Sequence, residues 1–381
     1  MNDRQIISIY NSGEHEKAFN GIVSEYSERL YWHIRRFVCS HDDANDLLQE
    51  TFIKIWAALP SFRGEAQLFT WIYRIATNQV LNHLRKQRFR ILVSLDSEAA
   101  FLEKKIAELE KYLPELTAQP DIDEFWAESR AKAKAVPMDI VCEKIDYPAK
   151  SVDVYDVTYC GFDETRIHGW LVVPAFLKKE KYACMVQYHG FNGSRGVPSD
   201  HMPFVMLGCA VFAIDCREQG GVTGNSAKYT DSGMVTNLNS KGILDKNEYY
   251  YRAVYMDCVK ALDVLETLPF IDADKLFVRG TSQGGALGMA VSALDERVKL
   301  AVVNVPSNSN IEYRVEHRHG SFTSVNDYLR RHPDNLERAY ETLSYFDTMN
   351  LAHRIKAKVF ASVGLADPVC PALCYYATYN R

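Results

Sequence analysis

"KLFVRGTSQGGALGMAV", Lys275 to Val291, changes character at its centre. Lys275–Gly280 is a short apolar run of the kind that forms a buried strand, and the small apolar residues after Ser282 suit a helix. Between them lies G-x-S-x-G, from Gly280 to Gly284, the pattern of a sharp strand-to-helix turn. Gly280 and Gly284 relieve crowding where the backbone reverses, and Ser282 is lifted above the C-terminal edge of the sheet. The helix that starts next aims its free backbone N–H groups at the same point, so the Gln283 N–H is set to face a developing oxyanion. The bland alternative is a glycine-rich structural turn.

Outward from this turn the chain alternates strand and helix. "VDVYDVTYC", "IHGWLVVP", "YACMVQYHG", "CAVFAIDC", "KLFVRG", "KLAVVNV" and "AKVFASVG" read as strands, several of them buried on both faces, with "YYYRAVYMDCVKALDVLETL" and "GALGMAVSALDE" as intervening helices. This is an α/β fold with a mostly parallel sheet. In "VQYHGFNGSRG" a strand ends at His189-Gly190 and small turn-forming residues follow, which makes the Phe191 N–H the second candidate oxyanion donor. His189 itself reads as a buried supporting residue. Asp367, just past "AKVFASVG", stands where an acid that orients a histidine belongs; as a turn aspartate before Pro368 it would have no such role. Asp215 and Arg217 in "DCREQGG" read as a loop-fixing ion pair.

Residues 1 to about 98 follow a different period. Apolar residues recur every three or four positions, and in "SHDDANDLLQETFIKIWAALPSF" Ala44, Leu47, Leu48, Phe52, Ile55, Trp56 and Leu59 line one face. Ser40 with Asp43 is a candidate capping box, and Pro60 stops the helix. Leu68, Ile72, Ile75, Ala76 and Val80 mark a further helix that runs into the basic stretch "HLRKQRFR", His83 to Arg90. Two domains are expected: a small all-α helical domain over 1–98 and the α/β domain over 99–381.

Composition limits the function classes. The 381 residues are 47% apolar with a net charge of −5, while residues 1 to 100 are neutral overall, so the local basic run offers a nucleic-acid surface despite the acidic total. Nine scattered cysteines with no secretory pattern at the N-terminus suggest reduced thiols and a cytoplasmic protein. The close pair Cys370 and Cys374 has no second Cys/His pair to complete a tetrahedral set, so no metal is expected. No apolar run is long enough to span a membrane.

The stretches "HGFNGSRG", "DCREQGG", "RGTSQGG", "LRRHP", "TLSYFDTMNLAHRI" and "SVGLADPVCP" together resemble the acetyl xylan esterase and cephalosporin C deacetylase family of carbohydrate esterases, from near Phe101 to the last residue. The resemblance implies the α/β-hydrolase fold, Ser282 as nucleophile, Asp367 as the orienting acid, and the Phe191 and Gln283 N–H groups as oxyanion hole. It implies a small acetylated saccharide as substrate, no cofactor, and a homo-oligomer, often a ring-like hexamer. The family places its histidine in a Gly-His-Glu stretch beyond the acid, whereas here no histidine follows His353, and "YYATYNR" is the last stretch. His317, His319, His332 and His353 all precede Asp367 and are not expected to pair with Ser282. The esterase part is therefore expected to lack its C-terminal end, with impaired activity and an uncovered sheet edge.

"HDDANDLLQETFIKIWAALPSFRGEAQLFTWIYRIATNQVLNHLRKQRF" resembles region 2 of extracytoplasmic-function sigma factors, over about Phe19 to Asp96. That resemblance implies that Asp46, Gln49 and Glu50 dock on RNA polymerase and that the following loop and helix open the promoter −10 element. Phe62, Arg63, Phe69 and Trp71 offer stacking faces and charge to an unstacked base, and Arg74, Asn78, Asn82, Arg85 and Lys86 are placed to follow phosphates. Trp56 reads as core, Trp71 as either core or surface, and the run from Arg85 as a solvated helix end if it binds nothing. A helix-turn-helix domain for the −35 element does not follow; the esterase stretch does. Three readings result: a deacetylase, a transcription-initiation protein, or a non-functional fusion of two incomplete coding regions.

Overall fold

The computed structural model describes the chain except residues 1, 39, 63–66 and 231–236, and except the side chains of residues 85–100. It divides into two compact units, Met1–Lys105 and Ile106–Arg381.

The first unit is helical: α1 (Asp3–Asn11), α2 (His15–Arg35), α3 (His41–Ala58) and most of α4 (Leu68–Leu109). Ser40 caps α3 by accepting from the N–H groups of Asp42 and Asp43 at 3.1 and 3.3 Å; the return bond of a capping box is not formed among the described residues. One core joins Ile6, Ile22, Tyr26, Leu30, Ile55, Leu59, Leu68, Trp71 and Ile72. The two tryptophans fall opposite to where they were expected or left open. On α3 the buried stripe is Ala44, Leu47, Thr51 and Ile55; Trp56, one residue further round, comes out 44% exposed. Trp71 shares the buried face of Leu68 and Ile72 and is 9% exposed. The α4 helix also continues past the basic run to Leu109 rather than breaking near residue 98.

The second unit opens with α5 (Ile122–Ala135) and three antiparallel strands, β1 (Val141–Ile145), β2 (Val152–Cys160) and β3 (Arg166–Pro174). Then follow β4 (Tyr182–Tyr188), α6 (Met202–Val205), β5 (Ala210–Ile214), α7 (Tyr250–Thr267), β6 (Ile271–Thr281), α8 (Gln283–Leu294) and β7 (Val298–Asn304). Four short helices, α9 (Ile311–Glu316), α10 (Thr323–Arg331), α11 (Leu336–Ser344) and α12 (Thr348–Leu351), lead to β8 (Lys358–Ser362) and α13 (Ala372–Tyr379). The sheet order is β1-β2-β3-β5-β4-β6-β7-β8, parallel from β5 to β8. All seven expected strands are present; the eighth, β1, was missed because "VCEKI" is a half-exposed edge with charges at Glu143 and Lys144.

Burial explains the uninterrupted apolar runs. Every residue of β5 and of α8 is buried, and α7 is buried almost all round, so these elements form the centre of the layered core. β8 does not share this: four of its five residues are exposed. The register sets Tyr188 beside Gly280, Thr281 beside Asn304, and Asn304 beside Ser362, so the loops leaving β4, β6, β7 and β8 emerge in one row.

The loop after β5 is pinned by ions, with partners other than those expected. Arg217, fully buried, bonds Asp257 through Nε at 2.7 Å and Nη2 at 2.9 Å and Asp163 through Nη1 at 3.0 Å, while Asp215 holds the Arg195 N–H and the Val222 N–H. The pair Asp215–Arg217 is thus two separate anchors, each with its own partners. Removing Asp257 strands a buried guanidinium, so Asp257→Ala should lower stability by about 3–5 kcal/mol, read as the fall in urea midpoint at unchanged slope.

Candidate active site

Ser282 stands between β6 and α8 with φ 56° and ψ −118°, a left-handed conformation that β-carbon crowding disfavours. The surrounding backbone enforces it. The Ser282 N–H donates to Asn304 O at 2.9 Å, and its carbonyl accepts from Ala286 and Ser307, both at 3.0 Å. A β-carbon at Gly280 would lie 2.2 Å from the Gly284 carbonyl, and one at Gly284 would lie 2.1 Å from Tyr188 O. Only two glycines let β4, β6 and α8 approach this closely.

The two expected oxyanion donors come from the ends of β4 and β6, which the register holds adjacent. Neither the Phe191 N–H nor the Gln283 N–H donates to any acceptor among the described residues. A clamp that was not anticipated ties the two together. Gln219 accepts from the Asn192 N–H at 2.8 Å and from Gln283 Nε2 at 3.1 Å, and its own Nε2 donates to Gln283 Oε1 at 3.0 Å and to the Tyr250 hydroxyl at 3.0 Å. Tyr251 donates to the same Gln283 oxygen at 2.9 Å. Burial pushes the Tyr250 and Tyr251 hydroxyls well above the ordinary tyrosine range, so both remain donors.

His189 is excluded as a base by its own bonds. Nδ1 donates to Gly190 O at 2.7 Å and Nε2 accepts the Cys216 N–H at 2.9 Å. Burial disfavours the charged ring, but the Cys216 side chain, the Gly190 carbonyl and Asp215 outweigh it and raise the ring to about 9, against which stands the Cys216 N–H that occupies the Nε2 lone pair of a neutral ring. His189 thus supports the loop that carries Phe191.

Asp367 lies in the turn after β8, where Oδ1 accepts the Val369 and Cys370 N–H groups at 2.8 and 2.9 Å. Its Oδ2 forms no hydrogen bond among the described residues. The turn brings Cys370 back to the nucleophile: Cys370 Sγ is 3.7 Å from Ser282 Oγ. This contact joins the Asp367 loop to Ser282, a partnership that the spacing of Cys370 and Cys374 does not signal. Arg314 Nη2 bonds Val369 O at 2.9 Å, and the nearby Cys374 thiol is pushed up to about 12 by burial. Among the described residues no group of three or more His, Cys, Asp or Glu is placed to hold a metal ion.

No histidine bonds Ser282 Oγ among the described residues. His319 comes to the same loop, with Nδ1 3.1 Å from Pro368 O and its ring parallel to that of His317 at 6.1 Å. His332 packs on Tyr328, and His353 lies in the turn before β8.

In the helical unit Asp46, Gln49 and Glu50 are exposed on α3, and Gln49 borders a groove of ≈ 600 Å³ with Phe19, Phe52, Ile53 and Trp56. On α4, Arg74, Asn78 and Asn82 are exposed at four-residue spacing, which forms one polar stripe. Phe69 lies half-buried under Arg29, 4.8 Å from its guanidinium, and half-buried Phe62 packs against Trp71. The buried Trp71 does not present the stacking face expected of it. Arg63 and the side chains of Arg85 and Lys86 lie outside the described residues.

Comparison with known proteins gives two matches along the chain. Residues 99–381 match the family "Acetyl xylan esterase (AXE1)", and residues 22–90 match "Sigma-70 region 2". The acetyl esterase Axe7A of Xylanibacter ruminicola is 29% identical over 275 residues, covering 68% of this chain and 59% of that protein. The acetyl xylan esterase from Paenibacillus sp. R4 is 39% identical, with a TM-score of 0.69 over 72% of this chain and 88% of that structure. Acetyl xylan esterase 1 from Thermoanaerobacterium sp. JW/SL YS485 is 27% identical, with a TM-score of 0.68 over 72% and 87%. The ECF RNA polymerase sigma-E factor of Haemophilus influenzae is 39% identical over 87 residues, which is 23% of this chain and 45% of that protein. The chain spans less than two thirds of the length of either curated relative.

The clamp makes a measurable prediction. Gln219→Ala leaves the Asn192 N–H without its acceptor and takes one donor and one acceptor from the Gln283 side chain, and should cost about 1–3 kcal/mol, read as the fall in urea midpoint at unchanged slope.

Proposed function

The chain belongs to the acetyl xylan esterase family over residues 99–381, and from that premise we propose that its α/β unit acts on acetyl esters of small saccharides through Ser282. The observation that carries this reading is Ser282, held at φ 56° with two unused N–H groups from neighbouring strand ends. Ser282 Oγ attacks the acetyl carbon, and the carbonyl π electrons move onto an oxygen that accepts from Phe191 and Gln283. Collapse expels the sugar alcohol and leaves acetyl-serine, which water then hydrolyses. Backbone N–H groups suit this task because they are fixed before charge develops.

The proton is the weak step. Among the described residues Ser282 Oγ has Cys370 as its side-chain neighbour and bonds no histidine, and His189 is committed to Cys216 and Gly190. Asp367, with one oxygen in its turn and Oδ2 unbonded, keeps a place for an orienting role. Without a base, turnover falls by on the order of a million-fold, with roughly a thousand-fold over water retained by the oxyanion hole and binding. The 381 residues alone are therefore expected to hydrolyse a small aryl acetate slowly. Added imidazole should raise that rate above its effect on Ser282→Ala, since it supplies the missing base only where a nucleophile is in place. Equal imidazole response in both proteins would refute Ser282 as nucleophile.

A second reading rests on residues 22–90. The exposed Asp46, Gln49 and Glu50 and the stripe of Arg74, Asn78 and Asn82 suit contact with RNA polymerase core and promoter −10 DNA. Arg74→Ala should weaken binding of single-stranded −10 DNA and reduce the magnitude of the log–log salt slope by about 0.7. Asp46→Lys should reduce capture of polymerase core and leave DNA binding alone. Insensitivity of polymerase capture to the α3 charge would count against this surface.

A further inference from the structure

Along the groove between α2 and α4 four rings stand in contact, one after another. Phe37 meets His33 with centroids 5.3 Å apart, His33 meets Tyr73 at 4.8 Å, and Tyr73 meets Phe69 at 4.3 Å. Arginines flank this row. The Arg29 guanidinium lies 4.8 Å over Phe69, and Arg29 and Arg36 line an open concavity of ≈ 390 Å³ together with Glu28, Trp32, His33 and Tyr73. Trp32 is 57% exposed and Phe37 45%.

The charges of this groove are not spent on the fold. Residues 29, 33 and 36 share one face of α2 with Trp32 beside them, so two arginines stand about 10 Å apart along the axis with rings between them. Among the described residues neither guanidinium has a hydrogen bond or an ion pair, whereas the neighbouring Arg35 bonds Val38 O at 2.5 Å. Phe69 and Tyr26 hold Arg29 by their faces alone, 4.8 and 5.6 Å from its guanidinium, which leaves its donors for a ligand. Burial, and then Arg36, lowers His33, so its ring is neutral at pH 7 and contributes a face rather than a charge.

We propose that this groove binds single-stranded DNA, with Arg29 and Arg36 on phosphates of one strand and an unstacked base against Trp32. Arginines alone suit any polyanion, and rings alone suit any apolar partner. Guanidinium groups interleaved with ring faces suit a chain that alternates phosphates and bases. A duplex keeps its base faces stacked and offers the rings nothing. The groove also continues a surface already described: Tyr73 adjoins Arg74 on α4, so a strand lying on Arg74, Asn78 and Asn82 reaches α2 across Tyr73. The proposal rests on the reading of residues 22–90 as a promoter-DNA surface and extends it to α2, which carries none of the DNA-contacting residues named above.

The test is fluorescence anisotropy of the full chain with a labelled DNA single strand of about 15 nucleotides and mixed sequence, and with its duplex, across a salt series. The single strand should bind more tightly than the duplex. Arg36→Ala should weaken it and lower the magnitude of the log–log salt slope by about 0.7, as one phosphate contact is lost. Trp32→Ala should weaken it about fivefold or more at unchanged slope, and Trp32→Tyr should restore most of the affinity, because a ring face is what the base needs. Arg4→Ala, at an exposed arginine of α1, should bind as the unaltered chain does. Near-UV circular dichroism checks that each variant is folded. Arg74→Ala separates the two ways of failing. If it weakens binding while Trp32→Ala and Arg36→Ala do not, the groove proposal is overturned and the α4 surface stands; if no single strand binds, both fall. Equal affinity for the duplex, or full displacement by poly-glutamate at matched charge, also overturns the proposal, since the groove then holds polyanions without reading bases.

Discussion

The close approach of three backbones at Gly280 and Gly284 is the constraint on which the α/β unit depends. With Gly284 packed against the Tyr188 carbonyl and Gly280 against Gly284, the chain turns from β6 into α8 within a single residue, Ser282. That residue carries the left-handed backbone, and its cost is offset by hydrogen bonds to Asn304, Ala286 and Ser307. The same contact brings the end of β4 alongside the start of α8, so the segments that carry Phe191 and Gln283, distant in sequence, are neighbours in the fold.

A second layer holds that geometry in place. Arg217, Asp257 and Asp163 anchor the loop after β5, and two residues later Gln219 bridges Asn192 and Gln283. Buried polar groups of this kind cost free energy unless each one is satisfied, so the loop has little freedom to shift. The proton-transfer partner is less secured. The Asp367 turn delivers Cys370, rather than a histidine, to Ser282, and the polar groups of His189 are consumed by the loop it supports.

The helical unit shows how a periodic pattern is decided at its margins. The face Ala44, Leu47, Ile55, Leu59 was plain from spacing, because residues three and four apart stack on one side of a helix. Trp56 and Trp71 were not, since each lies near the boundary of a stripe, where 100° of rotation decides between core and surface. Only the packing of α2 against α3 and α4 settles them. The polar stripe Arg74, Asn78, Asn82 followed from the same period with less ambiguity, as nothing apolar competes for those positions.

Local structure was legible from sequence alone: strand, tight turn and helix around Ser282, the turn after β4, seven strands in chain order, and the change from helical to α/β pattern. These follow from short-range rules, because periodicity, glycine placement and turn residues act within a few positions. What lay beyond that reach was decided by the tertiary structure. Arg217 chose Asp257, 40 residues away, over Asp215; Gln219 found Gln283 at a separation of 64; and Cys370 reached Ser282 across 88. The edge strand β1 and the exposure of β8 belong to the same class, since a strand's burial depends on which neighbours the sheet supplies. Long-range partners are selected by competition among buried polar groups in a folded core, and a linear sequence does not display which groups will be buried together.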